Sequence, residues 1–281
     1  MAGTLYIVPT PIGNLADITH RAIQILKEVD LIAAEDTRQT HKLLQHYAIV
    51  TKTISYHEHN EQQRSEALAS RLQQGSNIAL VSDAGTPGIN DPGFRLVRLA
   101  VENGIQVISL PGPSAFVTAL VASGLPTDEF FFGGFLPARS GARRKRLTEL
   151  SAIPGTLIFY EAPHRLASTL KDASEILGPR NAVVVRELTK IHEDVRRGVL
   201  PDLAEHYSNS ENPRGEIVLL IDRTRDEVAP SDATSQDDIG ILIARFESEG
   251  LDHRAALKKA ARELGLSRSE AYRRYVSARS D

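Results

Sequence analysis

The stretch from Ser82 to Gly93, SDAGTPGINDPG, decides how this chain is read. It comes straight after the apolar run IALV at residues 78–81, which has the length and composition of a strand buried on both faces. Five of its twelve residues are glycine or proline. Gly85, Gly88 and Gly93 permit backbone shapes and close approaches that a side chain would block, and Pro87 and Pro92 stiffen the segment between them. In open α/β sheets ligands bind beyond the carboxyl ends of the strands, so a rigid loop there, rich in uncovered backbone N–H groups, suits a small polar ligand.

Working outward, further short apolar runs stand at residues 5–8, 31–34, 106–109, 156–160, 182–185 and 216–221. Helical spacing fills the gaps: after Asp17 as an N-cap, Ile18, Ala22, Leu26 and Val29 would share one face. This alternation predicts an α/β fold. The PGPS segment at 111–114 divides it into an amino-terminal α/β lobe, 1–113, and a second α/β lobe, 114–222. Residues 223–238 read as a linker, with Pro230, serines, threonines and acids and little that can pack.

From 239 to 281 the pattern is helical throughout. DHRAALKKAARELGLSRSEAYRRYVSA reads as a helix–turn–helix, with Gly265 ending one helix, Leu266 in the turn, and Ser267 capping the next. Residues 252–281 carry eight Lys or Arg against four acids, which favours contact with RNA. Ala255, Leu257, Ala260, Ala261 and Leu264 would form a buried face whether or not RNA binds.

Composition narrows the classes. The 281 residues are 41% hydrophobic and 25% charged, ordinary values for a globular chain, and the net charge of −3 means that any nucleic-acid contact must be local. With no cysteine, disulfides, thiolate metal sites and cysteine nucleophiles are excluded. No apolar run approaches the roughly 20 residues that cross a bilayer, and the amino terminus has no leader pattern, so a cytoplasmic protein without an anchor is expected. There is no GxxxxGK[ST] phosphate loop, and VPTPIGN stands where a GxGxxG would follow the first strand. An ATPase or a conventional dinucleotide enzyme does not fit.

Seven segments taken together are more specific than any alone: VPTPIGNL at 8–15, AEDTRQT at 34–40, SDAGTPGINDPG, LPGPSA at 110–115, FYEAPHR at 159–165, RELTK at 186–190 and RGE at 214–216. In these the chain resembles the tetrapyrrole methylase-like superfamily, the class III methyltransferases. Within it, the chain looks like the bacterial enzymes that methylate a cytidine ribose of small-subunit (16S) ribosomal RNA. The resemblance implies two α/β lobes holding S-adenosylmethionine in the cleft between them, a homodimer, and ribosomal RNA or an assembled small subunit as substrate, at the decoding centre. Tetrapyrrole-modifying members carry a GxGPG-like first loop and a GDP-type third loop; VPTPIGN and SDAGTPG depart from both, which argues against a tetrapyrrole substrate. Carried over by motif, the cofactor falls on Ser82, Asp83, Ala84 and Gly85, with Ser114 and Ala115, while Pro11, Ala162 and Gly215 complete the walls.

Methyl transfer to a ribose hydroxyl requires alignment and either a proton acceptor or a cation that favours the alkoxide. Asp36, Arg38, His57, Glu187 and Lys190 lie at strand ends and are the catalytic candidates, a lysine of lowered pKa or a carboxylate being suited to take the proton. Asp36 with Arg38 reads equally well as a helix cap and ion pair. His57 and His59 would share a face on a strand, yet no third ligand stands at a usual spacing, so no metal is expected. Arg139, Arg143, Arg144, Lys145 and Arg146 form a run without acids that suits RNA phosphates; a solvated helix face is the plainer reading. Two other functions stay open: a small-molecule methyltransferase using the same cleft, and a non-catalytic RNA-binding assembly factor.

Overall fold

The first half of the chain forms β1 (Thr4–Ile7), α1 (His20–Glu28), β2 (Leu31–Ala34), α2 (Thr37–His46), β3 (Thr53–Ser55), α3 (Glu61–Gln73), β4 (Ile78–Val81), α4 (Phe94–Glu102) and β5 (Gln106–Ser109). The computed structural model describes residues 2–210, 213–223, 236–264, 266, 271–272 and 275. The five strands make one parallel sheet in the order β3-β2-β4-β1-β5. Alternation along each strand decides which helix it meets. Leu5, Ile7, Leu31, Ala33, Ile78 and Leu80 pack with Leu68 and Leu72 of α3 and Leu96 and Ala100 of α4. Val8, Ile32, Ala34, Ala79 and Val81 pack with Ala22 and Leu26 of α1 and Leu43 and Leu44 of α2. Burying each of the Leu, Ile and Val side chains among them stabilises by roughly 1.5–3 kcal/mol.

The expected cap of α1 is displaced. Asp17 closes a single 3₁₀ turn, Leu15–Asp17, and Thr19 is the N-cap, its hydroxyl accepting from the Ala22 N–H at 3.0 Å. A β-branched hydroxyl two residues on does the work assigned to the carboxylate.

The second half adds α5 (Ala115–Ser123), β6 (Phe130–Phe135), α6 (Ser140–Leu150), β7 (Thr156–Glu161), α7 (Leu166–Leu177), β8 (Asn181–Arg186), β9 (Asp194–Val199), α8 (Leu200–Asn209) and β10 (Ile217–Ile221). Its sheet runs β6-β7-β10-β8-β9 and is mixed: β6 and β7 are parallel, while β10 is antiparallel to both β7 and β8, and β9 to β8. Leu157, Phe159, Val184 and Leu219 meet α6, α7 and α8 on one face. On the other face Ile158, Val183, Val185 and Leu220 meet Ala119 and Leu120 of α5. Ile12, from the loop after β1, inserts into this second cluster and ties the two sheets together.

Both sheets belong to one compact unit and the carboxy-terminal helices to another. There, α9 (Gln236–Ser248) and α10 (His253–Glu263) enclose Ile239, Ile243, Phe246, Ala256, Leu257 and Ala260. Asp252 caps α10 through the Ala255 N–H. Most of the expected linker, together with Gly265, Ser267 and most of the second helix of the helix–turn–helix, lies outside the described residues. Among the described residues no helix is long and apolar enough to cross a membrane.

Candidate functional site

Three loops at the carboxyl ends of β1, β4 and β5 are sewn to one another. Thr10 and Gly85 form an isolated antiparallel bridge, the Thr10 hydroxyl donates to the Ser82 carbonyl at 3.0 Å, and the Thr86 hydroxyl donates to the Pro113 carbonyl at 3.1 Å. Gly85 holds φ at +80°, a region that side chains disfavour. The result is a fixed rim.

Against this rim the second sheet closes a cavity of about 360 Å³, within the range of small-molecule sites. Ile12, Ala84, Gly85, Thr86, Ser114 and Ala115 supply one wall, and Tyr160, Ala162, Val185, Leu188 and Gly215 the other. The lining is chiefly apolar and small. Asp91, Glu161 and Glu216 are its acids, and it includes no Lys, Arg or His among the described residues. A cavity so charged suits a ligand that is itself a cation.

Of the residues expected to hold a cofactor, Ala84, Gly85, Ser114, Ala115, Ala162 and Gly215 line this cavity. Pro11, Ser82 and Asp83 do not. Ser82 is 2% exposed, and its hydroxyl sits 3.4 Å from the Ala84 carbonyl, inside the loop it shapes. Asp83 accepts from the Asp36 N–H at 2.9 Å, and its own N–H donates to Glu35 at 3.3 Å, so it joins the ends of β2 and β4. These polar groups build the loop from behind, and the backbone and methyl groups face the cavity.

The catalytic candidates are likewise placed outside it. Asp36 caps α2 through the Arg38 N–H and pairs with the Arg38 guanidinium, both at 2.8 Å, which holds its pKa down at about 2. That is the cap-and-pair arrangement. His57 lies past the end of β3, so His57 and His59 do not share a strand face; the His57 Nε2 contacts the Asn60 amide at 3.1 Å.

Glu187 and Lys190 buttress the cavity from outside. The Glu187 carboxylate occupies the space over Gly215 that a Cβ would need, accepts from the Glu216 N–H at 3.1 Å, and holds Lys190 at 2.8 Å. Glu187 and Thr189 have φ of 52° and 66°, strain of about 1–3 kcal/mol each that this network keeps in place. Burial would lower the Lys190 pKa, but Glu187 and Glu216 outweigh it and raise it. Lys190 is therefore a fixed cation, and the expectation of a lysine with lowered pKa fails for want of desolvation without partners.

The basic run on α6 divides sharply. Arg143 is 3% exposed and makes two contacts of 2.6 and 2.7 Å with Asp172 of α7, so it cannot face a phosphate. Arg144 pairs with Glu175 and Asp172, and Arg146 with Glu149 at 3.1 Å. Arg139 and Lys145 are exposed without ion pairs among the described residues. Acids of α7, with Glu149 of α6 itself, pair with three of the five charges that read as an unbroken positive run.

What the sequence did not single out is Asp91, Asn90 and Tyr160, which line the cavity although all three stand in the quoted motifs. Burial first, then the charge of Glu35, push the Asp91 carboxyl up to about 6, and burial pushes the Tyr160 phenol up to about 12.

Residues 4–204 match the Tetrapyrrole (Corrin/Porphyrin) Methylases family. A relative in Escherichia coli O157:H7, Ribosomal RNA small subunit methyltransferase I, is 54% identical over 235 residues, 82% of either chain. The protein of the same name in Synechocystis is 47% identical over 280 residues, 99% of either chain. Among solved structures, uroporphyrin-III C-methyltransferase from Thermus thermophilus complexed with S-adenyl homocysteine shares the fold at a TM-score of 0.55 and 19% identity, over 78% of this chain and 97% of that one. The methyltransferase CobJ does so at 0.60 and 18%, over 79% and 95%. With the two sheets, the sewn loops and the cavity between them, this chain belongs to the tetrapyrrole methylase family.

Proposed function

We propose that the chain transfers the methyl group of S-adenosylmethionine to the 2′-hydroxyl of a cytidine in small-subunit (16S) ribosomal RNA, at the decoding centre, acting in the cytoplasm as a homodimer. The observation that carries this reading is the match, along 99% of either chain, to a protein named for small-subunit ribosomal RNA methylation.

The cavity fits the cofactor on its own chemistry. Gly85, Ala84 and Ala115 leave backbone close to the space, Ser114 offers a hydroxyl, and the carboxylate of Glu216 suits a ligand with positive charge. When bound, S-adenosylmethionine supplies an electrophilic methyl group on a positively charged sulfur. The chain's own part is to hold the two reactants in line, exclude water with Tyr160, Val185 and Leu188, and accept a proton. Arg139 and Lys145 offer charges for the RNA backbone.

The test is methyl transfer from labelled S-adenosylmethionine to small ribosomal subunits from a strain lacking this protein, with the ribose methylation mapped. Labelling of a cytidine 2′-oxygen is expected. Transfer that is indifferent to RNA would point to a small-molecule substrate, and cofactor binding without transfer to an assembly factor.

A further inference from the structure

The carboxylates around the cavity are not equivalent. Glu161 accepts from the Thr169 hydroxyl at 2.6 Å and from its neighbour's Ala162 N–H at 2.8 Å, and lies 3.2 Å from Arg165. Glu216 lies 3.3 Å from Lys190, and Glu187 is spent on the same lysine. Asp91 is the lining carboxylate without a cationic partner among the described residues.

Asp91 also stands on a boundary. It lines the cavity and, at the same time, a second and more open groove of about 570 Å³ with Glu61, Pro92, Gly93, Phe94 and Arg95. In that groove Glu61 is occupied by the Tyr56 hydroxyl at 3.1 Å and the Gly93 N–H at 3.2 Å, and Arg98 by Glu102 at 2.8 Å. Arg95 is left without an ion pair among the described residues, next to a Phe94 ring that is 72% exposed. An exposed ring and a free guanidinium lining one groove are the combination on which single-stranded nucleotides stack and neutralise phosphate. Among the described residues Asp91 is the one that lines both the groove and the cavity.

Resting on the reading above, we propose that Asp91 is the catalytic proton acceptor: its carboxylate takes the proton from the RNA hydroxyl as that oxygen attacks the methyl carbon. The new carbon–oxygen bond forms with an oxygen lone pair, the electrons of the broken carbon–sulfur bond stay on sulfur, which becomes neutral, and the proton passes from Asp91 to water through the open groove. The surroundings make this carboxylate a stronger base than an exposed one. Glu35 and Asp83 crowd it from the ends of β2 and β4, the Ser82 hydroxyl and the Tyr160 phenol face it, and Glu61 lies across the groove. A base with a pKa near 6 is largely ionised at neutral pH and accepts a proton more readily than an ordinary aspartate.

The experiment compares the full-length wild type with Asp91→Asn and Asp91→Glu. Single-turnover methyl transfer to unmodified small subunits should fall about 100-fold or more in Asp91→Asn and partly recover in Asp91→Glu. The wild-type rate should rise with pH through about 6 and level off, and the residual Asp91→Asn rate should lack that step. Calorimetric affinities for S-adenosylmethionine and for uncharged S-adenosylhomocysteine should both stay within about threefold. Selective loss of S-adenosylmethionine affinity would make Asp91 a partner of the cofactor's charge and overturn the proposal, as would an unchanged transfer rate. A wild type that labels no RNA would instead overturn the substrate reading and this assignment with it.

Discussion

Thr10 and Gly85 exchange two backbone hydrogen bonds, 2.9 Å from the Thr10 N–H and 3.0 Å from the Gly85 N–H, which tie the loop after β1 to the loop after β4. A Cβ on Gly85 would stand 3.5 Å from Ile12 Cγ2, and Ile12 is itself packed into the second sheet's core. At that distance a Cβ has room, so what the rim asks of Gly85 is its φ of +80°.

Gly85→Val tests that dependence. Its positive φ adds strain of about 1–2 kcal/mol, and the branched side chain enters the cavity that Gly85 lines. The variant should fold with a melting temperature lower by a few degrees and bind S-adenosylmethionine at least about tenfold more weakly. Calorimetry that finds affinity unchanged would separate the rim from ligand binding.

Arg143→Ala should act on stability and not on RNA. Removing Arg143 leaves the buried Asp172 with only Arg144 at 3.4 Å and the Ser140 hydroxyl, at a cost of about 3 kcal/mol. Replacing both Arg143 and Asp172 with apolar residues of similar volume should cost less than either single change. Denaturant unfolding of the two singles and the double checks this, and strictly additive losses would contradict the pairing.

The same pair shows where the sequence stops being legible. The strands at 31–34, 78–81 and 106–109 stand where their apolar runs put them. The three that the runs did not reveal, β3, β6 and β9, are all edge strands. An edge strand can leave one face to solvent and so loses the continuous apolar signature: β6 carries Gly133 and Gly134 at a register shift, and β9 has Arg196 and Arg197 exposed. Motifs located the cavity wall well, at Gly85, Ser114 and Ala162, because glycine and small residues mark close backbone approach. They did not show that Arg143 faces Asp172, or that Asp91 has no cation beside it, since both facts depend on residues brought together only by the fold.

Arg139→Ala with Lys145→Ala should weaken RNA binding without disturbing the fold. Both side chains are exposed and unpaired among the described residues, so unfolding should shift by no more than about 0.5 kcal/mol. Each lost phosphate contact lowers the slope of log affinity against log salt by about 0.7–0.9. Filter binding across a salt series should give a slope smaller in magnitude by about 1.5, with calorimetric S-adenosylmethionine affinity unchanged. An unaltered slope would move the RNA contact away from α6.

Asp91 carries a consequence for stability that is independent of any substrate. Its folded pKa, raised to about 6 by burial and by Glu35, exceeds the ordinary 3.8. The folded state therefore binds the proton more tightly than the unfolded state does. Its contribution to stability is complete below pH 3.8 and is lost as pH rises through about 6. Asparagine keeps the shape and carries no charge at any pH. Asp91→Asn should accordingly gain melting temperature over the wild type at pH 7.5, and most of that gain should disappear by pH 4. Paired thermal scans between pH 4 and 8 measure the difference directly. A difference that does not change over that range would mean the carboxylate titrates as an exposed one and is no stronger a base.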